Sequence, residues 1–139
     1  MTPEEIIEQL NSICLAQDFV SRSANLIDGW TSTGAGVETV GPILQFMEEH
    51  PAIDLGAPGP LVHFIEGFCQ KGYEERLVDS VQRKPTSATV WLLNRIINGE
   101  MAPHARQKFI ELMSGVLSNR SANDAARELA GRFLHRLNR

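Results

Sequence analysis

Apolar residues along the chain recur at three- and four-residue spacing, and no stretch sustains the period-two alternation of a half-buried strand. Ile6, Leu10, Ile13 and Cys14 begin the pattern. Ahead of them Thr2-Pro3-Glu4-Glu5 is a capping box with proline in the first helical slot, where the Thr2 hydroxyl can accept from an early backbone N–H while Glu5 reaches back. Phe19, Val20, Leu26 and Ile27 predict a second helix, or a continuation of the first, that ends near Gly29-Trp30. The composition of TSTGAG (31–36) predicts a turn. Further on, Tyr73, Leu77, Val78 and Val81 form one stripe; Pro85 breaks that helix, and Thr86 or Ser87 caps the next. Asn98-Gly99 should end it, with glycine in the left-handed position. Pro103 opens a helix with Phe109, Ile110, Leu112, Met113, Val116 and Leu117 on one face. Ser121-Ala122-Asn123-Asp124 reads as a second capping box. Behind it Leu129, Phe133, Leu134 and Leu137 should face inward and Arg127, Arg132 and Arg136 outward.

Two short segments resemble each other. GPILQFMEE (41–49) and GPLVHFIEG (59–67) share glycine, proline, phenylalanine and glutamate at an offset of eighteen residues. Each Gly-Pro suits a helix start, because proline fills a slot whose N–H would lack an intrahelical partner. Val37 and Val40 leave an earlier start open for the first copy, and PAIDLGAP (51–58) reads as the connecting loop. The offset equals one helix plus one loop, half the period of a HEAT-like repeat, although common helix-start chemistry could also produce it. The expectation is a single all-α domain, residues 1–139, with about seven helices in antiparallel hairpins, forming a HEAT-like stack or a compact bundle.

Composition leaves that picture intact: the hydrophobic fraction of 42% and charged fraction of 22% are ordinary for a globular domain. Charge changes it. Residues 1–60 hold nine acids against one base, Arg22, whereas residues 61–139 hold eight acids and twelve bases. One part is therefore −8 and the other +4. Such an acidic region disfavours nucleic acid as a partner and favours a basic protein surface; a merely solvated acidic face is the plainer reading. The opening MTPEEIIEQL lacks a basic region and a long apolar run, so neither a signal peptide nor a membrane span is expected, and the cytoplasm is the expected compartment. Cys14 and Cys69 fit reduced core thiols.

Helix 87–98 poses the sharpest question. Val90, Leu92, Leu93, Ile96 and Ile97 fill slightly less than half its circumference, and the other side holds Asn94, Asn98, Trp91 and Arg95. Trp91 and Arg95, four residues apart, can stack. Either this is a central helix covered on both sides, or the Trp/Arg/Asn group is an exposed patch of the residue types that dominate interfaces.

The run HFIEGFCQKGYEERLVDSVQRKPTSATVWLLNRIIN (63–98) resembles small helical immunity proteins of bacterial polymorphic-toxin and contact-dependent growth-inhibition systems. The matching residues are His63, Glu66, Tyr73, Trp91, Arg95 and Asn98, and the likeness covers about a quarter of the chain. The resemblance implies a protein that binds and neutralises one cognate toxin C-terminal domain, often a basic nuclease. The acidic region fits independently, since a nuclease must present cations to phosphates. Glu48, Glu49 and Asp54 are the first candidates for toxin contacts, with Glu66 and Glu74 second. A general helical-repeat scaffold or adaptor is the alternative.

Signals for catalysis are missing. His50, His63, His104 and His135 are scattered, and His63-x-x-Glu66 reverses the order of a di-iron motif and occurs once, so a partly buried His–Glu hydrogen bond is the better reading. There is no His-Glu-x-x-His, phosphate-cradling glycine loop or Cys-x-x-Cys. Neither a catalytic residue nor a metal site nor a cofactor is expected, and the arginines of the last helix lack the interleaved exposed aromatics of a nucleic-acid reader.

Overall fold

The computed structural model describes residues 1–138. Among them are eight α-helices and one 3₁₀ turn, without a strand: α1 (Pro3–Ile13), α2 (Phe19–Ser32), the 3₁₀ turn (Val37–Thr39), α3 (Val40–Glu49), α4 (Pro60–Glu66), α5 (Tyr73–Arg83), α6 (Ser87–Gly99), α7 (Pro103–Val116) and α8 (Asp124–Leu137). The chain is all-α. No helix among the described residues is long and apolar enough to cross a membrane.

Contacts divide the chain into two compact units, Met1–Arg76 and the residues from Leu77 onward, so the boundary falls inside α5. In the first unit α1 packs on α3 and α2 on α4, with α1 also against α2. Its core holds Ile6, Leu10, Trp30, Ile43, Phe46, Leu61, Ile65 and Tyr73, each at most 1% exposed. Trp30 donates its indole N–H to Gln9 Oε1 at 2.7 Å, which settles the one polar atom that the buried ring brings inside. In the second unit α6, α7 and α8 pack pairwise around Val90, Leu93, Ile97, Met113, Val116, Ala126 and Ala130.

Helix starts follow local chemistry. Thr2 and Glu5 form the expected reciprocal box. At α6 the cap is Thr86, whose hydroxyl accepts the Thr89 N–H at 3.2 Å while the Thr89 hydroxyl accepts the Thr86 N–H at 3.1 Å. The two Gly-Pro copies do both lead helices, but by different routes. The first is entered through the 3₁₀ turn, so Gly41 and Pro42 already lie inside α3. In the second, Gly59 stands at φ +91° as the N-cap, and a Cβ there would lie 1.7 Å from the Leu55 carbonyl oxygen. Only glycine fits that position.

Three expectations shift. α2 continues through Thr31 and Ser32, past Gly29, and ends where Gly34 takes φ +77° and the Ala35 N–H returns to the Trp30 carbonyl at 3.0 Å. Gly99 does not take a positive φ: the chain leaves α6 through an extended Glu100, whose carboxylate accepts the Ala102 N–H at 3.0 Å, so no left-handed residue is needed. The cap of α8 is Asn123, accepting the Ala126 N–H at 2.8 Å, rather than a box begun by Ser121. The Ser121 N–H is instead donated to Asn119 Oδ1 at 2.8 Å, which moves the helix start two residues along. With that start the fully covered stripe of α8 is Ala126, Ala130 and Phe133, and Leu129, Leu134 and Leu137 are half-buried.

Candidate functional site

The unit boundary sharpens the charge asymmetry. Met1–Arg76 carries twelve acids and three bases, a net −9, and the residues from Leu77 onward carry five acids and ten bases, a net +5. Of the nine acids in residues 1–60, all but Glu48 are exposed: Glu4, Glu5, Glu8, Asp18, Asp28, Glu38, Glu49 and Asp54. Arg22, the one base of that stretch, is held by Asp18 at 2.7 Å along α2. Its guanidinium keeps the Asp18 carboxyl below the usual carboxylate range. Glu38 is lowered too, chiefly by the Gly36 N–H that it accepts at 2.7 Å. Asp18 and Glu38 therefore stay ionised at neutral pH, and with Arg22 the one base among residues 1–60 the acidic surface there has little neutralisation.

The five acids expected to meet a partner are placed unequally. Glu48 is 5% exposed and therefore leaves the contact set. α3 buries Val40, Pro42, Ile43, Leu44, Phe46 and Met47 as well, so most of its circumference is covered and the arc at Glu48 is covered with it. Glu49, one residue on, is exposed and takes the Gln45 amide at 3.2 Å. Asp54 is exposed, with one oxygen accepting the Gly56 N–H at 2.9 Å. Glu66 and Glu74 are half-buried. Both Glu74 oxygens accept the Gln70 N–H, at 2.9 and 3.1 Å, in a turn where Gln70 takes φ +63°. Glu74 thus serves the local backbone first. Burial, followed by the charges of Glu74 and Glu66, raises the Cys69 thiol above its ordinary value, so these two acids share the surroundings of that cysteine.

α1 adds a feature that the residue pattern did not single out. Glu5, Glu8, Gln9 and Ser12 line a shallow hollow of about 330 Å³. Gln9, one of the four, accepts the indole N–H of the buried Trp30. Spacing of three and four residues was the signal available for this cluster.

Trp91 is half-buried and carries the Arg95 guanidinium 5.1 Å from its ring centroid, the stack that their spacing allows. Asn94 is half-buried and Asn98 exposed. The helix is therefore covered on its aliphatic side, where Val90, Leu92, Leu93 and Ile97 are all buried, and partly open on the other. His63 is exposed rather than partly buried. Among the described residues no group of three or more His, Cys, Asp or Glu side chains is placed to hold a metal ion.

Compared with family models, curated proteins and solved structures, the chain shows no significant match.

Proposed function

We propose that this chain is a stoichiometric inhibitor of the immunity type, which neutralises a toxin domain by covering its cationic active surface with the acidic unit. The observation that carries the reading is the exposure of eight carboxylates in residues 1–60, with the single base among them already paired to Asp18. A nuclease-type toxin must display lysines and arginines to hold phosphates, and a surface of opposite sign both steers encounter and competes for those groups. Glu49 and Asp54 are the leading contacts, joined by Glu5 and Glu8 at the α1 hollow. Glu66 is peripheral, and Glu74 is a turn-former first. The inhibitor makes and breaks no bond and needs no cofactor; it works in the cytoplasm, where the toxin would act.

Co-expression with basic nuclease-type toxin domains, beginning with any encoded next to it, tests the reading. Growth protection, together with one-to-one binding by titration calorimetry that weakens as salt rises, is the expected result. A protein that protects against no such toxin and retrieves several unrelated partners from its host is instead a helical adaptor.

A further inference from the structure

The turn between α1 and α2 holds Leu15, which is 96% exposed. The backbone around it is folded: the Ala16 N–H bonds the Ile13 carbonyl at 3.0 Å, and the Phe19 N–H bonds the Ala16 carbonyl at 3.2 Å. Apart from Met1 at the chain end, no other large apolar side chain among the described residues of this acidic unit is more than half exposed. The cationic unit has the converse feature. Between α5 and α7 runs an open groove of about 590 Å³, with Val78 and Val81 on one wall, Phe109, Leu112 and Val116 on the other, and Lys108 lining it. Phe109 and Leu112 are only half-buried, so α7 leaves much of its apolar face to solvent.

We propose that a second copy of this chain occupies the groove, inserting Leu15 from its α1–α2 turn. Charge selects the occupant. The unit bearing Leu15 is −9 and the unit bearing the groove is +5, so this approach is attractive on net charge, although Glu111 lines the groove beside Lys108. Met101 is also 88% exposed, but it sits in the same cationic unit as the groove, where its insertion would bring like charges together. Each copy has one knob and one groove, so the two surfaces in contact are different ones, the turn of one copy and the groove of another. Full burial of a leucine that is otherwise in water strengthens association about ten- to a hundred-fold.

Sedimentation velocity on the purified full chain, at low and high salt, tests this without any other protein, so its failure leaves the inhibitor reading standing. The wild type should self-associate with concentration, more strongly at low salt. Leu15→Glu, at a site with no packing to lose, should be monomeric under the same conditions. Leu112→Glu should be monomeric too, and mixing the two variants should give a dimer that grows no further, since one keeps the groove and the other the knob. If circular dichroism shows Leu112→Glu unfolded, Lys108→Glu at the exposed rim replaces it and should weaken association. A wild type that stays monomeric at low salt, association unaffected by Leu15→Glu or by salt, or folded knob and groove variants that fail to pair would each overturn the proposal.

Discussion

The units on either side of Leu77 are both helical, yet they bury their large side chains to different extents. Of the twelve largest fully buried side chains, ten lie before Leu77, Trp30, Phe46 and Tyr73 among them. Beyond it the core relies on smaller pieces such as Val90, Ala126 and Ala130, while Trp91, Phe109 and Leu112 remain half-exposed. The acidic unit thus encloses most of its large side chains, leaving Phe64 and Phe68 half-buried and Leu15 exposed, and it shows carboxylates, whereas the cationic unit leaves Trp91, Phe109 and Leu112 half-buried around a thinner core. The first can act on a partner through long-range potential and the second through contact and shape. That difference bears on how each unit should respond to mutation.

The tryptophans give the largest expected contrast. Trp30→Ala removes a ring that is 1% exposed and orphans Gln9 beneath the α1 hollow, and it should destabilise the protein by about 3–5 kcal/mol in chemical denaturation. Trp91→Ala, which removes a half-solvated ring and its stack with Arg95, should cost about 1–2 kcal/mol. Equal costs would erase the distinction between an enclosed and an open unit.

The caps come next. Thr86→Ala breaks a buried reciprocal pair at the start of α6 and should cost about 1–2 kcal/mol. Thr2→Ala removes an exposed pair at the chain end and should cost less than about 1 kcal/mol by the same measurement.

Such caps also explain which parts of the fold could be read from residues alone. Thr2-Pro3-Glu4-Glu5 and Pro85-Thr86 fix helix starts through contacts three residues away, and short-range chemistry is visible in a linear string. Where two local solutions compete, the string does not choose: Ser121 and Asn123 both suit a cap, and only the folded turn, with Asn119 receiving the Ser121 N–H, decides for Asn123. Burial around a helix is less legible again. Glu48 and Glu49 look alike as helix-end acids, but α3 is covered over most of its circumference and only Glu49 emerges. The α1 cluster was legible in its three- and four-residue spacing, whereas the α5–α7 groove depends on gaps between side chains, which no periodicity encodes.

Smaller effects refine the electrostatic side of the comparison. The Cys69 thiol should react with iodoacetamide at a pH midpoint above that of a free cysteine, and Glu74→Gln should lower the midpoint by removing a neighbouring negative charge. Asp18 and Glu38 have folded-state values below their ordinary ones, so their contribution is present above the usual carboxylate range and is lost as pH falls through those lowered values. Both are fully exposed. Asp18→Asn should therefore flatten the acid limb of the stability profile only slightly.

The central claim is that the acidic unit, through its charge, recognises a cationic protein surface. Its most direct test compares two charge reversals in binding to a basic nuclease-type toxin domain against which the wild type protects: Glu5, Glu8, Glu49 and Asp54 to lysine in one variant, and Arg120, Arg132 and Arg136 to glutamate in the other, all at exposed positions. The first should abolish growth protection and lower affinity at least about a hundred-fold with a flatter salt dependence, while the second leaves both close to wild type. Unchanged binding in the first variant, or loss confined to the second, would contradict the account.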